Sequence, residues 1–358
     1  MSEYGLASLG DSREIAAPDL PYRPPMPAAY RPRLGLIGAG GISEYHLRAY
    51  RAMGLEVAAI CNRTLAKAVA RRDEFFPEAE ATDDYRRVLA RDDIAVVDIT
   101  PHPAERVPIV EAALRAGKHV LSQKPFATDL ADGARLADLA DECGVKLAVN
   151  QNGRWAPHFA WMREAIRAGL IGEVSSIDVS MQWDHTWTAG TPFEEIRHLV
   201  LYDFAIHWFD MVCAMVPDQM PERVFASVRR AGYQRVKPPF LACAAIDFPA
   251  VQARLCFNAH VAHGQEDRTV ICGENGTLRS SGPRLNEQSV ALWTAEGCCR
   301  PALEGDWFTS GFQGTMGELL CAIEEDRAPL NNARDNLRSL ALCFAAVRSA
   351  DSGEPVRL

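Results

Sequence analysis

Lys124 stands in "LSQKPF", directly after a short apolar run and before a proline. Proline fixes the backbone just beyond it, so the ammonium is either a solvated surface charge or a group aimed into a cleft. A second pair lies in "LYDFAIHWFD", where Asp203 and His207 are four residues apart and share a face if the segment is an α-helix. A histidine takes or gives a proton near neutral pH, and a carboxylate orients it and raises its pKa. That is the equipment of general acid–base chemistry. Taken alone, those residues read more simply as a buried helix with a satisfied histidine and a capping aspartate. A third stretch, "LGLIGAGGISEYH", puts Gly38, Gly40 and Gly41 between an apolar run and a helical one, with Ser43 where a third glycine or alanine often stands. Glycines there let a pyrophosphate approach backbone N–H groups at a helix N-terminus.

These groups act together only if the elements around them bring them together. From residue 33 short apolar runs alternate with amphipathic helices: "RLGLIG", "ISEYHLRAYRAM", "EVAAIC", "TLAKAVARRDEFF", "IAVVDIT", "AERVPIVEAALRAG", "KHVLSQ", "TDLADGARLADLADECG", "VKLAVN". That alternation predicts βαβ units and a parallel sheet over 33–150. The glycines open its first unit, and Lys124 follows its fifth strand. In open α/β sheets the ligand cleft lies beyond the carboxyl ends of the strands, so Lys124 is expected to face a bound dinucleotide. After one more helix, "HFAWMREAIRAGLIG", the pattern shifts to period two in "SSIDVSMQW", "RVFASVRR", "LACAAIDF", "VQARLCFNAHVAH", "RTVICG", "GTLRSS" and "SVALWT". This predicts a mostly antiparallel sheet in an α+β unit over 151–358. Residues 1–32 read as an extended arm, with six prolines between 18 and 32. It is either a free tail or an arm laid on a neighbouring subunit through Tyr22, Met26 and Tyr30.

The chain has 358 residues and a net charge of -9, which disfavours a nucleic-acid partner. No basic leader with an apolar run and no stretch of membrane-span length is present, so the cytoplasm is the expected compartment. The ten scattered cysteines contain no CxxC spacing and read as buried thiols. No metal site is expected. The second strand ends "AICNRT", with Asn62 and Arg63 where NAD-binding folds place an acid for the ribose hydroxyls. Asn62 does not repel a 2′-phosphate and Arg63 can pair with one, so the expected cofactor is NAD(P), leaning to NADP.

With these stretches, and with "DITP", "AGKHVLSQKPFA", "NGRWAPHFAWMREAIRAGLIGEV" and "CGENGTL", the chain resembles the Gfo/Idh/MocA oxidoreductases from about residue 33 to its end. The resemblance implies an N-terminal Rossmann dinucleotide-binding domain plus a C-terminal α+β domain with a large, open, mostly antiparallel sheet, usually a subunit interface. A homodimer or homotetramer follows from it. Family members mostly oxidise or reduce secondary alcohols of sugars and cyclitols. By that likeness His207 would accept the substrate proton, Lys124 would bond the reacting oxygen, and Asp203 would orient both. Cofactor contacts would come from Gly38, Gly40, Gly41, Ile42, Asn62, Arg63, the loop Thr100, Pro101 and His102, and Gln123 with Lys124.

Three departures stand out. Gln123 replaces the family's glutamate, Ala205 replaces a common glycine, and the loop holding His102 is longer by one residue. Substrate contacts are expected from Asn152, Arg154, Trp183, His185, Arg197 and His207. Trp183, His185 and Trp187 would project on one strand face. Convergence of any two of Arg154, Arg197 and His198 would favour a sugar acid held by its carboxylate. The resulting expectation is an NAD(P)-dependent dehydrogenase or reductase on a small polyol, sugar or sugar acid. The alternatives are a redox-neutral enzyme with retained cofactor and a non-catalytic dinucleotide-binding regulator.

Overall fold

The computed structural model describes residues 13–358, so the first twelve residues of the arm lie outside the described residues. The βαβ stretch forms β1 (Arg33–Ile37), α1 (Ser43–Ala52), β2 (Glu56–Cys61), α2 (Leu65–Phe75), β3 (Glu80–Thr82), α3 (Tyr85–Leu89), β4 (Ile94–Ile99), α4 (Pro103–Arg115), β5 (His119–Gln123), α5 (Leu130–Glu142) and β6 (Leu147–Asn150). The strands make one parallel sheet in the order β3-β2-β1-β4-β5-β6. Its central strands are buried on both faces, which is why they read as unbroken apolar runs. Several helices begin on acceptor side chains: Asp84 for α3 and Asp129 for α5. The order reverses between β1 and β4, and the glycine loop after β1 opens at that switch point.

The rest of the chain forms α6 (Pro157–Arg167), β7 (Val174–Gln182), α7 (Ile206–Met215), β8 (Arg223–Arg229), β9 (Leu241–Asp247), β10 (Gln252–Asn258), β11 (Glu266–Gly273), β12 (Gly276–Arg284), β13 (Glu287–Thr294), β14 (Gly297–Cys299), α8 (Thr309–Glu324), α9 (Ala333–Ser352) and β15 (Val356–Arg357). Nine strands pair as β14-β13-β12-β11-β7-β10-β9-β8-β15, with β7 and β10 parallel and the other pairs antiparallel. One face is packed on helices, including α9 against β8 and α6 against β12 and β13. The other shows Phe225, Ala245, Arg254, Cys256 and Arg268 to solvent. Period-two burial in β10 records that division. Among the described residues no helix is long and apolar enough to cross a membrane.

The last two long helices return to the parallel sheet, α8 against α1 and α9 against α5. The described part of the arm also lies on its own chain. Ile15 N donates to Cys298 O at 2.9 Å and Cys298 N to Arg13 O at 2.8 Å, beside β14. Tyr22 is buried, and its hydroxyl accepts from Glu304 N at 3.1 Å. The backbone N–H groups of Ala28, Ala29 and Tyr30 donate to the Glu324 carboxylate on α8 at 2.7, 2.7 and 2.8 Å. Proline leaves few N–H groups in this segment, and α8 supplies the acceptor for three of them. Of the three residues expected to reach a neighbour, Tyr22 and Tyr30 are thus held within the chain, and Met26 is exposed.

Candidate active site

The glycine loop is built for a close approach. Gly38 has φ of 106° and donates its N–H to Cys61 O at 2.8 Å. A Cβ there would fall 2.5 Å from Thr100 Oγ1, which itself donates to Gly38 O at 2.8 Å. Only glycine fits that position without strain. Gly40 and Gly41 meet nothing within 4 Å of where a Cβ would stand. That open space lies at the N-terminus of α1, where a pyrophosphate is stabilised by backbone N–H groups. The residues therefore fit a dinucleotide. Ile42 enters α1 in helical conformation, half-buried, and exposed His102 precedes α4.

Asn62 and Arg63 do not wait for a 2′-phosphate. Asn62 Oδ1 accepts from Ala39 N at 3.0 Å, which ties the end of β2 to the glycine loop. Arg63 pairs with Glu105 at 2.8 Å. The lean to NADP rested on these two side chains and finds no support in their contacts. Both are satisfied by neighbours that a sequence of spacings does not reveal.

Lys124 ends β5 beside Gln123, which is buried. Gln123 Oε1 accepts from Lys124 N at 2.7 Å and from Asn150 Nδ2 at 3.2 Å, so the amide holds the loop rather than standing free for a ribose hydroxyl. The Lys124–Pro125 peptide is cis. Lys124 Nζ donates to Asp203 O at 2.8 Å and to Asp203 Oδ1 at 3.2 Å, so the parallel-sheet half and the second half meet here. Both side chains are largely enclosed, with 16% and 18% of their surface exposed.

Asp203 does not sit on an ordinary α-helix. Val200–Phe204 is a π-turn, with Ala205 N donating to Val200 O at 2.7 Å, and α7 begins only at Ile206. The wider turn holds an extra residue, so the expected shared face with His207 is re-registered. The carboxylate bonds lysine and not the imidazole. His207 lies edge-on to Trp307, with ring centroids 5.5 Å apart, and its buried Nδ1 has no partner among the described residues. Burial and the nearby Lys124 ammonium push its pKa well below the ordinary histidine value. The result is a neutral imidazole able to accept a proton, beside a cation held by a carboxylate.

The expected substrate residues divide. Trp183 and His185 meet at 5.2 Å, and His185 stacks on Phe204 at 4.2 Å. The strand ends at Gln182, however, and Trp187 sits in a short 3-10 turn, more than half exposed, donating Nε1–H to His185 Nδ1 at 3.0 Å. Burial brings the His185 pKa down to about 4. Asn152 is buried, its amide donating to Trp307 O at 3.2 Å. Arg154 is buried against Asp210, at 2.6 and 2.8 Å, and Asp335, at 3.0 Å. Arg197 and His198 both go to Asp351, at 2.6 and 2.9 Å. Arg197 and His198 do converge, but on the chain's own Asp351 carboxylate, while Arg154 is held apart by Asp210 and Asp335.

Two buried residues, one of them beside His207, carry no assignment from sequence. Trp307, in an irregular segment before α8, walls His207 and rests on Gly153, where a Cβ would come within 2.9 Å of its ring. Gln151 is buried with both side-chain amide atoms unpaired among the described residues. No local pattern points to Trp307.

Comparison with known proteins agrees with the fold. The sequence model described as "Oxidoreductase family, NAD-binding Rossmann fold" matches residues 32–151, and that of the "GFO/IDH/MocA C-terminal domain" matches residues 159–279. Inositol 2-dehydrogenase of Rhizobium meliloti (strain 1021) is 27% identical over 332 residues, covering 88% of this chain and 96% of that protein. D-apiose dehydrogenase of Paraburkholderia graminis is 26% identical over 345 residues, covering 90% and 88%. The crystal structure of an oxidoreductase from Agrobacterium radiobacter, in complex with NAD+, L-tartaric acid and magnesium, superposes with a TM-score of 0.82. Its identity is 20% and the coverage is 92% of this chain and 98% of that one, a likeness of fold.

Proposed function

The chain belongs to the Gfo/Idh/MocA oxidoreductase family, and on that premise we propose that it is an NAD-dependent dehydrogenase acting on a secondary alcohol of a sugar or cyclitol. Residues 33–150 hold the cofactor and residues 151–358 the substrate and the subunit contact, in a homodimer or homotetramer. The observation that carries the reading is the Lys124–Asp203 contact beside His207, at the strand ends that flank the open glycine loop. Bound NAD would supply the hydride acceptor. Gly40, Gly41 and the N-terminus of α1 bind its pyrophosphate. Lys124 donates a hydrogen bond to the reacting oxygen, Asp203 fixes the direction of that ammonium, and His207 takes the hydroxyl proton. Trp183, His185 and Trp307 wall the cleft and exclude water, so the main contribution of the scaffold is orientation. NAD is preferred over NADP in this reading because Arg63, the cation that would pair with a 2′-phosphate, is bonded to Glu105 at 2.8 Å.

The test is a screen of neutral sugars, cyclitols and aldonates with NAD and with NADP, read by absorbance of the reduced nicotinamide, alongside Lys124→Ala. Turnover with NAD on a neutral polyol, lowered by orders of magnitude but still measurable in the variant, is expected. Bound cofactor with no net reduction on any substrate would overturn the dehydrogenase reading in favour of redox-neutral chemistry or regulation. Faster turnover of aldonates than of the matching neutral sugars would overturn the neutral-substrate assignment.

A further inference from the structure

The loop carrying Lys124 is gripped by a buried cation that the chemistry above leaves unused. Arg106, in the opening turns of α4, is 1% exposed. All four of its hydrogen bonds end on main-chain carbonyls. Nε and Nη2 donate to Pro101 O at 3.1 and 2.8 Å. Nη1 donates to Gln123 O and to Pro125 O, the carbonyls of the residues on either side of Lys124. Pro101 follows Thr100, whose hydroxyl is bonded to Gly38 O. A continuous path thus runs from the glycine loop through Thr100, Pro101 and Arg106 to the carbonyls of the two residues that flank Lys124.

A buried charge is costly unless it is fully hydrogen-bonded. Burial indeed lowers the pKa of this guanidinium to about 9. An apolar side chain of similar volume would fill the space at less cost. What a flat, multiply donating fork adds is fixed geometry between three acceptors on two loops.

We propose that Arg106 is a positioning residue for catalysis: by clamping Gln123 O and Pro125 O to Pro101 O, it sets where the Lys124 ammonium stands relative to Asp203 and the dinucleotide loop. The proposal rests on the assignment of Lys124 to the reacting oxygen.

The experiment is a double-mutant cycle of Arg106→Lys with Lys124→Ala, with Arg106→Gln as a second variant. Rates are taken per NAD-binding site, so that any misfolded fraction is removed. Displacing a reacting group by about an ångström costs on the order of 10²-fold, and a drop of that size in kcat is expected for both Arg106 variants, with the Kd for NAD nearly unchanged. In the Lys124→Ala background the same substitutions should add almost nothing, because the group they position is gone. A merely structural arginine would give equal fractional losses in both backgrounds, and that result, or an unchanged kcat in Arg106→Lys, overturns the proposal. A second arm does not depend on turnover. Reductive methylation followed by mass spectrometry compares Lys124 with exposed Lys67 and Lys237. Release of the clamp should make Lys124 react several-fold faster while the other two stay constant, and an unchanged Lys124 rate overturns the proposal. Silence of the wild type on every substrate, with the labelling shift present, would retire the proposed reaction and leave the clamp standing.

Discussion

His207 is where burial and charge act on one atom pair. Burial and the Lys124 ammonium both disfavour the imidazolium, so the ring stays neutral where an ordinary histidine begins to protonate. The kcat/KM of oxidation is therefore expected to hold as pH falls through about 6.5 and to drop only at lower pH. Lys124→Ala removes one of the two depressing influences, so the His207 ring followed by NMR should titrate at higher pH in that variant. A ring titrating at or above the ordinary histidine value in the wild type would remove His207 as the base. His207→Asn should lower kcat by roughly 10²–10⁴-fold, the usual range for a general base. The residue types were plain in "LSQKPF" and "YDFAIHWFD". Which carboxylate oxygen met which cation was not, because the π-turn at Val200–Phe204 changes the spacing between Asp203 and His207 and has no composition signature.

At the scale of elements, the glycine loop separates fold from function. Gly38→Ala meets both a φ of 106° and a 2.5 Å contact with Thr100 Oγ1. It should destabilise the protein by about 1–3 kcal/mol and weaken NAD binding as well. Gly41→Ala meets no atom of the described residues within 4 Å. Its thermal transition should match the wild type while its Kd for NAD rises by on the order of tenfold, since the new methyl stands in the space for the pyrophosphate. Calorimetric unfolding and cofactor titration on both variants check this. Equal NAD affinity in Gly41→Ala and wild type would mean that the loop is an ordinary turn. The long apolar and amphipathic runs were legible because their periods are set by local geometry. Short edge pieces such as β3, β14 and β15 are three residues or fewer and carry no period. The strand through Trp183 and His185 ends early because Asp184 accepts from Thr186 N at 2.9 Å and turns the chain.

Across the whole molecule, one buried acid couples folding to pH. Asp267 on β11 is 1% exposed on the covered face of the nine-stranded sheet, across from Met181 and Gly282, and its Oδ2 has no partner among the described residues. Burial, with a smaller contribution from the adjacent Glu266 charge, raises its pKa from 3.8 to about 8. The folded value lies above the unfolded one, so its contribution to stability is full below pH 3.8 and is lost as pH rises to about 8. Asp267→Asn removes that dependence. The unfolding free energy of the variant relative to wild type should grow with pH, by up to about 1.4 kcal/mol per unit, and level off near pH 8. A difference that is flat across this range, measured by denaturant titration at several pH values, would show that the carboxyl is ionised in the folded protein.

By itself the sequence determined what depends on local period and local chemistry. The alternation of runs set a parallel sheet followed by a mostly antiparallel one, the glycine spacing set a loop at the first switch, and Lys124 was placed at a strand end. Tertiary structure decided which side chains are free to act, because that depends on partners distant in the chain. Arg154 is bonded to Asp210 and Asp335, Arg197 to Asp351 and Arg63 to Glu105, so three candidate anion-binding arginines are already paired. Lys124 finds Asp203 from the other half of the chain, and Arg106 is spent on the carbonyls that hold Lys124 in place. A charge written in sequence states only what a residue is able to bond, and packing selects the one partner it does bond.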